Sequence, residues 1–195
     1  MDVPELLGRA TDLVPADARN TLGLAAADVR DLLGEGDWDV ALGALQEFEG
    51  VEWQPVEFWT VLADVADQMA LPRDAAWCHW RASETRAGLF AADLRLVPPD
   101  AGGRRIPLRG GLRPMWAVGC PSLPEGLADL HVGVIRVEGA PAVPPGGEGR
   151  VRLGPLSPEN WWHLRPGDTI TMHESRPVAA TATITEVRLP RRARR

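Results

Sequence analysis

GLFAADLRLVPPDAGGRRIPLRGGLRP, residues 88–114, is the stretch at which the chain changes character. Before it, apolar residues recur at helical spacing. Within it, Leu94 and Leu96 flank Arg95 in the period of two that marks a strand, and Pro98-Pro99, Gly102-Gly103 and Gly110-Gly111 break the chain into short turns. The same pattern then repeats. Val132, Val134, Ile135 and Val137 form one segment, Val151 and Leu153 a second, Ile170 and Met172 a third, and Thr181, Thr183, Thr185 and Val187 a fourth. Pro144-Pro145-Gly146-Gly147 and Arg165-Pro166-Gly167-Asp168 separate them. The intervals leave no room for crossover helices, so a parallel α/β sheet is not expected and an antiparallel sandwich or barrel is predicted.

On the N-terminal side, Trp38, Ala41, Leu42, Leu45 and Phe48 fall on one helical stripe, with Asp39, Gln46 and Glu47 predicted outside it. Pro55 suits the first turn of a second helix, whose inner face is Phe58, Val61, Leu62, Val65 and Met69. Ala25, Val29, Leu32 and Leu33 predict a helix ending near Gly34. Leu6, Leu7, Leu13 and Val14 predict a shorter first helix, and residues 73–84 a last one with Trp77 and Trp80 on one face. The predicted fold class is α+β: an all-α bundle over 1–86 followed by an antiparallel β domain over 88–189, with a basic tail at 190–195.

Charge divides the chain at the same place. Residues 1–88 carry 17 acids against 6 arginines and residues 89–195 carry 10 acids against 15 arginines, so a net charge of −6 conceals halves of −11 and +5. Opposite charge on adjoining segments predicts modules with different partners. The 45% apolar and 25% charged composition is that of a folded globular chain. No apolar run is long enough to span a bilayer, and the acidic start MDVPELLGRATD lacks the features of a secretory signal, so a cytoplasmic location without a membrane partner is expected. Cys78 and Cys120 form no CxxC pair, and the chain contains no lysine, which rules out lysine-dependent chemistry.

Phe90 to Pro107 (FAADLRLVPPDAGGRRIP), followed by Gly110-Gly111-Leu112-Arg113-Pro114, resembles the opening of the C-terminal (third) β-barrel domain of elongation factor Tu. The shared order is an extended strand, a Gly-Gly-Arg turn with a nearby Pro, and a Gly-x-Arg-Pro segment leading into an aromatic strand. Pro145-Gly146-Gly147 running into Val151-Arg152-Leu153 resembles a later turn and strand of that family. Glu174-Ser175-Arg176-Pro177 resembles its closing hairpin, one residue shorter. The likeness covers residues 88–189 and implies a six-stranded antiparallel barrel. It also implies a surface for the T-stem of tRNA or for partner proteins, with Arg104 as the Arg of the turn. Arg105 stands where the family has His and Met115 where it has Gln, and a further basic contact is replaced by the apolar region of Pro155 and Leu156. The nucleotide-binding domain has no counterpart, since GxxxxGK[ST] does not occur. Arg104, Arg105, Arg109, Arg113, Trp162 and Arg176 are therefore the predicted contacts of the barrel with nucleic acid or a partner.

Residues 1–72, with the acid-rich Asp37-Trp38-Asp39-Val40-Ala41-Leu42 helix start, are similar to small helical immunity proteins of the Maf type, non-catalytic partners that neutralise toxins. This resemblance implies that Glu35, Asp37, Asp39, Asp64 and Asp67 face a protein partner. From the residues alone, such acids are either the solvated face of a bundle or a binding face that steers a basic partner. Adjacent Trp161 and Trp162 are predicted to point one in and one out, as neighbours in a strand do. The outward ring either stacks on a base, forms a protein hot spot or packs against the rest of the chain. Cys78 and His79 point apart on a helix and suggest no nucleophile, and His131, His163 and His173 lack metal-ligand spacing. The expectation is a non-enzymatic binding protein of immunity type without cofactor or metal, its partner a toxin domain or a component of the translation machinery. The alternative is an accessory protein that binds tRNA or other RNA through the basic barrel.

Overall fold

The structure, a computed structural model, describes residues 2–48, 53–119, 129–174 and 177–190. Its contacts divide the chain into two compact units, 1–86 and 87–195.

Among its described residues the first unit holds five helices: α1 (Val3–Asp12), α2 (Ala26–Glu35), α3 (Trp38–Gln46), α4 (Val56–Gln68) and α5 (Pro72–Ala87). Three of them begin or end where local chemistry dictates. Asp2 and Glu5 cap α1 reciprocally, each side chain accepting from the other's backbone N–H at 3.1 Å. Pro55 precedes α4 in extended conformation, and Gly36 closes α2 at φ 84°, the left-handed geometry that favours glycine. Leu7, Val29, Leu45, Phe58, Trp59 and Leu62 are fully buried in one core, to which α5 contributes Ala75, Cys78 and Ala82 at helical spacing. One predicted core residue lies elsewhere: Trp38 is 40% exposed. It occupies the first position of α3, before the stripe Ala41, Leu42, Leu45 turns inward.

The second unit is a closed antiparallel barrel. Its strands are β1 (Leu89–Leu96), β3 (Met115–Ala117), β4 (Leu130–Val137), β6 (Glu148–Pro155), β7 (Thr169–His173) and β8 (Val178–Arg188), hydrogen-bonded around the barrel in the order β1-β6-β4-β3-β7-β8. The α+β class and the six-stranded barrel agree with the sequence reading. Two further strands, β2 (Leu108–Arg109) and β5 (Ala142–Val143), pair as a short ribbon that buries Leu108 and Val143. They are too short to show alternation, which is why periodicity misses them. In β8 the predicted segment is found with Ala180, Ala182 and Ile184 inward and Thr181, Thr183 and Thr185 outward. Trp116, Trp161 and Phe90 fill the core edge-to-face, with centroids 5.8–6.3 Å apart.

The tryptophan pair corrects the sequence reading. Trp161 is buried and Trp162 half-buried, as alternation suggests, but neither lies in a strand. They come after a single 3-10 turn, Pro158–Asn160, because Pro158 starts a helical turn and cannot donate to a ladder. The Trp162 indole N–H donates to the Ala87 carbonyl at 3.2 Å, anchoring the ring to the segment that enters β1.

Candidate binding surfaces

Glu35, Asp37 and Asp39, three of the acidic residues that the sequence points to, meet at the junction of α2 and α3. The junction is fixed by the backbone. Gly36 turns the chain, Asp37 N–H donates to the Leu32 carbonyl at 3.0 Å, and the Asp37 carbonyl accepts from Ala41 at 2.9 Å as α3 begins. All three carboxylates are exposed. Between and beside them stand Trp38, 40% exposed, and Val40, 51% exposed. A large ring and a branched side chain thus project from a rigid corner surrounded by negative charge. Asp64 and Asp67 lie on the outer face of α4, where Asp67 is 3.9 Å from His79.

Cys78, beside His79 in sequence, faces inward while His79 is exposed. Burial pushes the Cys78 thiol from 9.0 up to about 12, against a weaker opposing effect of the Gln46 amide 3.6 Å from Sγ. That is the chemistry of an inert core thiol.

In the barrel, the Gly-Gly-Arg turn folds tightly against the end of β1. Gly102 has φ 91°, and a Cβ on Gly103 would lie 1.8 Å from the Val97 carbonyl oxygen, so only glycine fits there. This turn delivers Arg104 into a recess, where its side chain is 12% exposed and its Nη1 donates to Glu174 at the end of β7. Nε of Arg104 is shielded from solvent and has no hydrogen-bond partner among the described residues. Beside it opens a cavity of about 310 Å³. Leu112, Pro114 and Met115 form its apolar lining, and Arg104, Arg113, His173 and Glu174 its polar lining. Met115 and His173 are direct cross-strand partners in the β3–β7 ladder, so the cavity is built on paired strands. The His173 ring is oriented by Thr171, whose Oγ1 lies 2.9 Å from its Nε2.

Of the predicted barrel contacts, then, Arg104 and Arg113 line one cavity. Arg105 and Arg109 are exposed, and Trp162 is bonded to Ala87. Arg176, Cys120 and the tail at 191–195 lie outside the described residues. Glu174 and His173 are site residues that sequence reasoning misses. Nothing in a sequence marks the acid that will meet an arginine 70 residues away. Among the described residues no helix is long and apolar enough to cross a membrane, and no group of three or more His, Cys, Asp or Glu could hold a metal ion. In comparisons with known proteins, the chain matches no family model and no curated sequence.

Proposed function

We propose that this chain is a non-enzymatic binding protein of the immunity type, whose acidic helical unit captures a basic protein partner such as a toxin domain. The observation that carries the reading is the α2–α3 corner, with Trp38 and Val40 exposed among the exposed carboxylates of Glu35, Asp37 and Asp39. Binding hot spots are enriched in tryptophan, and surrounding charge steers encounter and selects partners of opposite sign. The barrel, whose closed six-stranded architecture suits the elongation factor Tu likeness, serves in this reading as a decoy for a partner that recognises that factor's third domain.

The test is affinity purification of the full chain from cells beside Trp38→Ala and Asp37→Lys/Asp39→Lys. Each co-purifying protein is then titrated singly against purified chain. A basic protein should bind wild type directly and weaken by about 2 kcal/mol or more with Trp38→Ala. Direct binding indifferent to both variants would refute the acidic corner as the interface. A second reading, RNA binding, is favoured by one observation: Arg105, Arg109 and Arg113 are all exposed. It requires tRNA retention that falls steeply with salt and weakens when Arg105 and Arg109 become Ala.

A further inference from the structure

We propose that the barrel cavity is a binding site for a carboxylate carried on a short apolar stem, with Arg104 as its anchor. This inference rests on the barrel alone and is independent of the acidic corner of the helical unit.

Size comes first. A cavity of about 310 Å³ lies at the small end of ligand pockets, which admits a side chain or a small organic acid. Charge comes second. Arg104 and Arg113 line the cavity together with one acid, Glu174, so the two cations are matched by one carboxylate and a second negative charge would balance the lining. The third observation is Arg104 itself. Guanidinium groups offer five N–H donors and buried donors are normally paired, yet Nε is shielded from solvent and meets no acceptor among the described residues. A planar carboxylate matches the fork of a guanidinium, so a ligand that draws the head group of Arg104 into the cavity satisfies donors that the protein does not. Glu174, its side chain 39% exposed, yields toward water as the ligand shares or takes its partner.

The apolar lining decides between anion classes. Leu112, Pro114 and Met115 favour a hydrocarbon stem, whereas a duplex phosphodiester carries sugars on both sides and a hydrated charge, and is too bulky to enter a recess where the arginine is only 12% exposed. The carboxylate has two sources, a free monocarboxylic acid or the C-terminus of a peptide ending in an apolar residue.

Isothermal titration of the full chain with hexanoate, hexanamide, acetyl-Ala-Leu-Leu, its C-terminal amide and duplex RNA tests the site. Hexanoate or the free-acid peptide should bind at one site, about 10- to 100-fold more tightly than its amide. Arg104→Gln should abolish that preference. Leu112→Trp, which narrows the cavity with both arginines intact, should weaken binding as well and serves if Arg104→Gln does not fold. The tighter of hexanoate and peptide identifies the source. Equal binding of acid and amide, no binding of either acid, or acid binding unchanged in Leu112→Trp would overturn the proposal. So would duplex RNA displacing hexanoate in an Arg104-dependent way.

Discussion

Arg81 in the helical unit and Arg104 in the barrel are both withdrawn from water, and their surroundings differ. Arg81 sits on α5 with its guanidinium carbon 4.8 Å from the ring centre of Trp59 and 5.5 Å from that of Trp77. Glu84 accepts from it at 3.0 Å, the Gln54 amide oxygen lies 3.4 Å away, and Glu84 is itself held by the Trp80 indole N–H at 2.7 Å. Aromatic faces and a buried acid on several sides make this a packed, cross-linked charge that fastens α5 to α4. Arg104 has one acid partner among the described residues, no aromatic face packed on it there, and a cavity beside it. A buried charge enclosed by the fold is a structural element, and one left beside open space is poised for something that arrives.

The largest effect expected from this contrast is on stability. Arg81→Met leaves Glu84, 3% exposed, as a buried carboxylate without its cation, and should cost about 3–5 kcal/mol in urea unfolding followed by circular dichroism. Adding Glu84→Gln removes the stranded charge while keeping an acceptor for Trp80, and should recover much of that loss. An unaltered midpoint for the single variant would erase the difference between the two arginines.

Gly103→Ala sharpens the barrel side. The new Cβ meets the Val97 carbonyl at 1.8 Å, so the turn must shift at a cost of about 1–3 kcal/mol. Because this turn places Arg104, an amide resonance change in nuclear magnetic resonance spectra should extend to Glu174 and His173. A change confined to residues 97–103 would show that Arg104 is positioned by something else.

The smallest effect concerns Cys78. Its folded pKa is raised above the unfolded 9.0, so the folded chain holds this proton more tightly. The stabilisation is therefore complete below about pH 9 and is lost as pH rises toward about 12. In a Cys120→Ser chain, iodoacetamide at about pH 8 should leave Cys78 unlabelled until urea is added. Rapid labelling of the folded chain would contradict its placement in the core.

Much of this architecture is legible in the residues, and the failures have physical causes. The change of period at Gly88 marks the passage from α5 to β1 because strands and helices bury side chains at different intervals, and that signal survives without tertiary information. Periodicity misplaces Trp38 because it takes no account of where a helix begins relative to the core it faces. It also reads Trp161 and Trp162 as strand because a buried ring after a 3-10 turn looks the same in sequence. The acidic corner is visible in the residues as three carboxylates, but its exposed ring is not. The cavity is only half visible. Arg104 and Arg113 stand in recognisable turns, whereas Glu174 and His173 join them only once β7 pairs with β3.

The most direct test sets the two arginines side by side: urea unfolding of wild type, Arg81→Met and Arg104→Met, each with and without hexanoate, monitored at wavelengths that separate helix from strand. Arg104→Met breaks a pair whose acid is partly solvated, so it should unfold within about 1 kcal/mol of wild type and lose the stabilisation that hexanoate gives. Arg81→Met should unfold far more easily while its barrel is still stabilised by hexanoate. An Arg104→Met chain as fragile as Arg81→Met, or one that hexanoate still stabilises, would contradict the assignment of one arginine to the fold and the other to a ligand.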